Sequence, residues 1–115
     1  MRISATFLAA LLVGCSQSVS WPLAGVYLGY YSFGFETSRF SPANSQEKWW
    51  LSGANPCPEL AHEIAPGVTP ILYIEVRGEL SGKGEHGHLG QYSRELTVKD
   101  VLSCRKLWPG EWPNV

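Results

Sequence analysis

The sequence predicts a mainly β domain, a small five-stranded barrel with one short helix. Short segments rich in β-branched and aromatic residues recur along the chain, and proline and glycine separate them. One of these segments alternates regularly between apolar and polar side chains, as a strand buried on one face does. With 115 residues, of which 44% are hydrophobic and 17% charged, the chain has the size and composition of one folded domain.

Three strands are predicted in the first half of the chain. Residues 25–32 and 35–40 are rich in tyrosine and phenylalanine, and a glycine between them permits a turn. A third strand is predicted over residues 47–52, where Trp49 and Trp50 are adjacent. Because neighbouring side chains of a strand point to opposite faces, one tryptophan should enter the core and the other should lie on the surface.

A short helix is predicted after the third strand. Pro58 suits a first helical turn, because its missing N–H is not needed there. Leu60 and Ile64 fall on one helical face, and a Pro-Gly pair at residues 66–67 ends the segment after about two turns.

Two further strands follow. In the segment 71–80, Leu72, Ile74, Val76 and Leu80 share one face, and polar side chains occupy the positions between most of them. The last strand is predicted over residues 94–104, where a shift in the alternation at 100–101 predicts either a bulge or an early end of the strand. Residues 107–115 are expected to form an extended tail.

The order strand, strand, strand, helix, strand, strand is that of an OB-fold, a five-stranded Greek-key barrel. A closed ring also removes the exposed edges that so many short strands would otherwise present. An antiparallel sandwich, or a curved sheet with one packed helix, is the alternative architecture.

The N-terminus resembles the export signal of a bacterial lipoprotein. Arg2 supplies a positive charge, residues 3–12 are mainly apolar, and Leu12-Val13-Gly14-Cys15 resembles a lipobox. The resemblance implies cleavage before Cys15 and a lipid on its sulfur. Residues 1–14 are then a signal peptide, 15–20 a lipidated tether and 21–115 one β-rich domain. An ordinary signal peptide with a chance cysteine, or a buried first strand, is the alternative.

Localisation and partners follow from this signal and from the charge. The residue after the cysteine is Ser16 and not an aspartate, which resembles the sequence pattern that sorts lipoproteins to the outer membrane. The expected location is therefore the outer membrane, with the domain facing the periplasm. With nine Lys and Arg against ten Asp and Glu, the chain has no basic excess to hold nucleic acid. The expected partners are the membrane, through the lipid, and an envelope protein or a cell-wall component.

Cys57 and Cys104 remain after Cys15 is set aside. An even number of cysteines in an oxidising compartment predicts a disulfide between them. Two buried free thiols are the alternative.

The glycine-rich loop at residues 81–90 holds the candidate binding residues. His86 and His88, with Glu85 and His62, are ligand types that zinc or copper accepts. A histidine that only braces the loop through a backbone hydrogen bond is the simpler interpretation. No nucleophile elbow or phosphate loop is present, and no carboxylate pair stands out, so no enzymatic activity and no obligatory cofactor are expected.

Three segments resemble small bacterial lipoproteins of unknown function. They are Gly34-Phe35-Glu36-x-Ser38-x-Phe40, Trp49-Trp50-Leu51 and Gly87-His88-Leu89-Gly90-x-Tyr92-x-Arg94-Glu95-Leu96. Tyr92 and Arg94 are therefore added to the histidines as candidate ligand contacts. The expected function is a lipid-anchored envelope protein with a binding or structural domain. A metal-binding or metal-sensing lipoprotein, or an inhibitor of a cell-wall-degrading enzyme, is the alternative.

Overall fold

A computed structural model describes residues 19–61, 63–64 and 70–111. The predicted signal peptide at 1–14, Cys15, most of the tether, His62 and Trp112 lie outside these residues. Within the described ranges, no helix combines the length and the apolar character needed to cross a membrane.

The strands close into a ring in the order β1-β2-β3-β5-β4. Their bounds, with the single turn of α-helix α1 and a 3-10 turn, are β1 Leu23–Gly34, β2 Thr37–Pro42, β3 Trp49–Gly53, α1 Pro58–Ala61, β4 Ile71–Leu80, the 3-10 turn His88–Gly90 and β5 Arg94–Lys106. The neighbouring strands are antiparallel except β3 and β5, which are parallel. This ring, with a helix between β3 and β4, confirms the predicted OB-fold-like barrel.

The first strand is longer than predicted because it serves two neighbours. β1 has 12 residues, and its pairing with β4 runs from Leu23 to Ser32. Its pairing with β2 runs from Gly29 to Gly34, so the strand must continue to the β1–β2 turn. The helix is shorter than predicted, with four residues, although Leu60 and Ile64 both pack against the core as expected. A single turn has little stability of its own, so this packing holds it.

The core is formed by the face of β4 that the alternation predicted, together with the inward faces of the other strands. Ten buried residues make up the main cluster: Tyr31, Phe40, Trp49, Leu51, Leu72, Ile74, Val76, Leu80, Leu96 and Val98. Trp49 is the buried tryptophan of the adjacent pair, at 7% exposure, and stacks on Phe40. At Gly29 and Gly78, a neighbouring strand's backbone approaches so closely that a Cβ would collide with its carbonyl oxygen.

Irregular pairing in β5 confirms the predicted bulge. The register with β4 shifts twice, between Glu75 and Val76 and between Arg77 and Gly78. The extra residues therefore flank the position that the sequence indicated, and they bend β5 so that it reaches both β3 and β4.

The predicted disulfide is present. Cys57 and Cys104 are bonded, with their Cα atoms 6.4 Å apart. Cys57 directly precedes α1 and Cys104 lies near the end of β5, so the bond fastens the helix segment to the sheet.

Candidate binding site at two loop tips

The β4–β5 loop, residues 81–93, folds back across the barrel wall. Inside the loop, His86 and Tyr92 exchange two backbone hydrogen bonds, of 3.0 and 3.1 Å. The N–H of Ser93 donates to the carbonyl of Lys48, just before β3, at 3.2 Å. These hydrogen bonds hold the loop against β3, so that it does not extend into solvent.

The loop rests on Trp50, the outward-facing tryptophan of the adjacent pair. Gly87 has φ +69°, and a Cβ there would lie 2.5 Å from Cδ2 of the indole ring, so only glycine fits. The Tyr92 ring meets the same indole edge-on, with centroids 5.2 Å apart. Trp50 therefore forms the platform for the loop, and Tyr92 contributes to that platform.

A contact between two loops brings the β4–β5 loop to the β1–β2 turn. Nε2 of His88 lies 3.4 Å from Oε2 of Glu36. The residues beside this pair, Phe35 and Leu89, are exposed by 91% and 77%. We call the four residues Phe35, Glu36, His88 and Leu89 the tip surface.

The backbone of the tip surface is unusual for its side chains. Glu36 and Leu89 have φ of +58° and +57°, in the left-handed region that favours glycine or asparagine. Leucine and phenylalanine at exposed turn positions contribute nothing to the core. Residues with strained backbone or without a role in folding concentrate at functional sites. The tip surface is therefore the leading candidate for a binding site.

The two candidate histidines do different things. His86 is partly buried, and its Nε2 lies 3.3 Å from Oγ of Ser81, which accepts a 2.7 Å hydrogen bond from the Glu95 N–H. His86 thus braces the base of the loop, whereas His88 reaches the β1–β2 turn. Over the described residues, no group of three His, Cys, Asp or Glu side chains is placed to hold a metal. His88 and Glu36 form a pair of possible ligands 3.4 Å apart, and the metal hypothesis stays a prediction.

Arg94 is engaged in internal contacts. Its Nε donates to Glu47 at 3.1 Å, its Nη1 donates to the Ser81 carbonyl at 3.0 Å, and its guanidinium lies 4.4 Å from the Trp21 ring centroid. The side chain is only 13% exposed. A hydrogen bond from Trp49, with help from Arg94, lowers the pKa of Glu47. Arg94 thereby joins the segments just before β1, just before β3 and just after β4, and the ligand contact predicted for Arg94 remains a prediction.

A second polar cluster, which the sequence did not indicate, holds the C-terminal segment. Glu111 accepts hydrogen bonds from Arg105, at 2.7 and 3.0 Å, and from the Tyr30 hydroxyl at 3.0 Å. The Arg105 bonds, and then the Trp108 N–H, lower the pKa of Glu111 to about 2. Arg105 also lies 4.5 Å from the ring centroids of Tyr73 and Trp108. We call this cluster of Tyr30, Tyr73, Arg105, Trp108 and Glu111 the clasp. It holds the C-terminal segment against β1, β4 and β5, which is a structural role.

Neither a pocket nor a deep cleft forms among the residues that the structure describes. No protein-family model, curated protein or solved structure matches the chain significantly. The class that the fold defines is a five-stranded OB-fold-like barrel, and its tip surface presents two exposed apolar side chains, Phe35 and Leu89.

Proposed function

We propose that this chain is a lipid-anchored envelope protein whose barrel binds a macromolecular partner through the tip surface. The observation that carries the binding role is the pair of exposed apolar side chains, Phe35 and Leu89, on adjoining loops. The lipobox-like segment that ends at Cys15 supports the anchor.

The shape of the site favours a macromolecule over a small ligand. Small ligands bind in concave, largely apolar pockets, whereas the tip surface presents two projecting side chains. Burial of a phenylalanine or a leucine contributes about 1.5–3 kcal/mol each. Aromatic side chains inserted into a partner's groove are common anchors of protein interfaces.

The tip surface is also held in shape before any partner arrives. The β1–β2 turn has only two residues between the last β1 and first β2 pair, Gly34 and Thr37. The β4–β5 loop is fixed by the contact of Gly87 with Trp50 and by the contact of His88 with Glu36. Because these two loops have little conformational freedom to lose on binding, their association with a partner is favoured.

Two partner classes fit an envelope location: an envelope protein, or an enzyme that degrades the cell wall. In the second case the tips would enter the enzyme's cleft and block it, as an inhibitor does. The two highly exposed apolar side chains at the loop tips, Phe35 and Leu89, are the observation that favours this second candidate.

Photo-crosslinking in intact envelopes tests the binding site. A benzophenone amino acid replaces Phe35 or Leu89 in the full chain, and Leu102, exposed by 41% on β5, provides the control position. We expect one and the same adduct from both tips and none from position 102. The double variant Phe35→Ser/Leu89→Ser should then lose binding of the purified partner, while Leu102→Ser retains it. Equal adducts at all three positions, or none at the tips, would overturn the proposal.

The anchor is tested separately with Cys15→Ser. This variant should lose incorporation of labelled palmitate and leave the membrane fraction. A variant that still incorporates the label and stays membrane-bound would disprove anchoring at Cys15.

A further inference from the structure

We propose that Arg39 on β2 binds a carboxylate of the protein partner that the tip surface recognises. This inference rests on the proposed binding role of Phe35 and Leu89. Two buried side-chain polar atoms have no hydrogen-bond partner among the described residues: Nε of Arg39 and Oγ of Ser41. Nearly all buried polar groups in folded proteins are hydrogen-bonded, so two such atoms at neighbouring positions of one strand face require an explanation.

The two side chains share the outward face of β2. Phe40, between them, is fully buried in the core, so Arg39 and Ser41 point to the opposite side of the strand. The register places Ser32 of β1 and Trp50 of β3 beside Arg39. Arg39 is partly exposed, whereas Ser41 and Ser32 are only 3% and 5% exposed. The barrel wall is therefore closely packed around an arginine Nε for which the described part of the chain offers no acceptor.

Arg39 also lacks a counterion where the other arginines have one. The structure describes four arginines, and Arg77, Arg94 and Arg105 each pair with a carboxylate, at 3.4, 3.1 and 2.7 Å. None of the ion pairs formed within the described ranges includes Arg39. Partial burial of an unpaired charge costs free energy, and a carboxylate supplied by a partner would offset that cost.

The carboxylates of adjoining segments are already engaged. Glu36, in the β1–β2 turn, lies 3.4 Å from the imidazole of His88. Glu95, on the β5 strand that pairs with β3, accepts a 2.6 Å hydrogen bond from the Ser52 hydroxyl. A rearrangement that paired either carboxylate with Arg39 would break one of these contacts. The acceptor for Arg39 is therefore expected from outside the chain.

The place of Arg39 in the strand connects this acceptor to the tip surface. Arg39 is the third residue of β2, so it lies about 7 Å along the strand from the β1–β2 turn. A protein that takes Phe35 and Leu89 into apolar pockets therefore has neighbouring surface within reach of Arg39. An isolated cation suits the single carboxylate of an aspartate or a glutamate, whereas nucleic acid and anionic lipid surfaces are held by clusters of cations.

The guanidinium has the right shape for this acceptor. Its N–H groups form a planar fork that matches the two oxygens of a carboxylate. Because Arg39 is partly exposed, the carboxylate can approach the guanidinium from solvent. Rotation of the Arg39 side chain on binding would present Nε and uncover the Ser41 hydroxyl, which can donate to the second carboxylate oxygen.

NMR of the arginine side chains tests this site before any partner is known. The lipidated protein in dodecyl maltoside micelles is titrated with a blocked acidic tetrapeptide of aspartate and glutamate. The same peptide with asparagine and glutamine, and inorganic phosphate, are the comparison probes at constant ionic strength. We expect only the acidic peptide to move the Nε–Hε signal of Arg39, saturably and with a Kd in the millimolar range. The signal of Arg77, which is paired, should stay in place.

Two charge-matched variants separate a site from a general charge effect. Arg39→Gln removes the fork, and Lys99→Gln removes the same charge at an exposed position of β5. With the indole N–H of Trp50 as reporter, Arg39→Gln should weaken binding of the acidic peptide at least about fivefold, and Lys99→Gln should stay within about twofold of wild type. Thermal melting checks that both variants are folded. An unmoved Arg39 signal, an equal shift at Arg77, or a response to phosphate alone would overturn the proposal.

Binding of the tip-surface partner distinguishes this inference from the proposed function. A partner captured by crosslinks from positions 35 and 89 should lose affinity roughly tenfold with Arg39→Gln and keep it with Lys99→Gln. If the tips yield no adduct, the proposed function fails and the partner assigned here fails with it, while a positive peptide titration still supports the carboxylate site. If the partner binds Arg39→Gln as tightly as wild type and Phe35→Ser/Leu89→Ser abolishes its binding, this inference alone fails.

Discussion

The contact between Gly87 and Trp50 gives the sharpest prediction, because one methyl group should free the β4–β5 loop. Gly87→Ala introduces a Cβ that would lie 2.5 to 2.7 Å from three atoms of the indole ring. The residue also has φ +69° and ψ −157°, a conformation nearly restricted to glycine. The loop must therefore leave the ring or change its backbone.

The cost follows from these two effects. Backbone strain at such a position is about 1–3 kcal/mol, and partial exposure of the indole adds about 1 kcal/mol. We expect Gly87→Ala to lower the free energy of unfolding by about 2–4 kcal/mol, which corresponds to a fall in Tm of at least about 10 °C for a domain of this size.

Urea unfolding of the disulfide-intact protein measures this change. Gly90→Ala is the matched control, since Gly90 has φ +65° in the same loop, but the nearest atom to its new Cβ would be the Glu85 Cβ at 3.3 Å, 0.8 Å farther than the indole atom at Gly87. The control should cost about 1 kcal/mol. Equal losses in the two variants would refute the argument that the Trp50 contact fixes the loop.

Three other predictions concern the disulfide, the clasp and the metal hypothesis. Replacing Cys57 and Cys104 together by Ala should cost about 4 kcal/mol in urea unfolding, from the closed loop of 47 residues; a loss under 1 kcal/mol contradicts this. The pKa of Glu111 is lowered from 4.5 to about 2, so its stabilising effect is complete above pH 4.5 and disappears as the pH falls toward 2. Glu111→Gln should therefore flatten the dependence of Tm on pH across that interval, and an unchanged profile would show that the clasp is unimportant. If His88 and Glu36 hold zinc or copper, calorimetry should detect micromolar binding that His88→Gln removes; no heat with the wild-type protein refutes the hypothesis.

Local patterns were sufficient to predict the strands and the bulge. The alternation from Leu72 to Leu80 determines which face is buried, and the structure confirms it. The even cysteine count predicted the bond between Cys57 and Cys104. These features depend on residues close in sequence, or on a count, and therefore leave a signal in the sequence itself.

The tip surface was predicted only in part. Its loop was selected because of its glycines and histidines, but the contact of His88 with Glu36 joins residues 52 positions apart. No periodicity encodes such a pair. Arg94 also appeared available for a ligand, because its contact with Glu47 depends on β3 and β5 lying side by side.

The order of strands around the ring has a consequence for how the chain folds. Leu23 pairs with Leu80, and Trp49 pairs with Arg94. The β1–β4 and β3–β5 pairings therefore each join the first half of the chain to the second half. The pairings of β2 with β1 and β3, and that of β4 with β5, join strands adjacent in the sequence and can form first. Structures dominated by distant pairings fold slowly, in about milliseconds to seconds. The ring cannot close until β5 has left the ribosome, because β5 is the strand that joins β3 to β4.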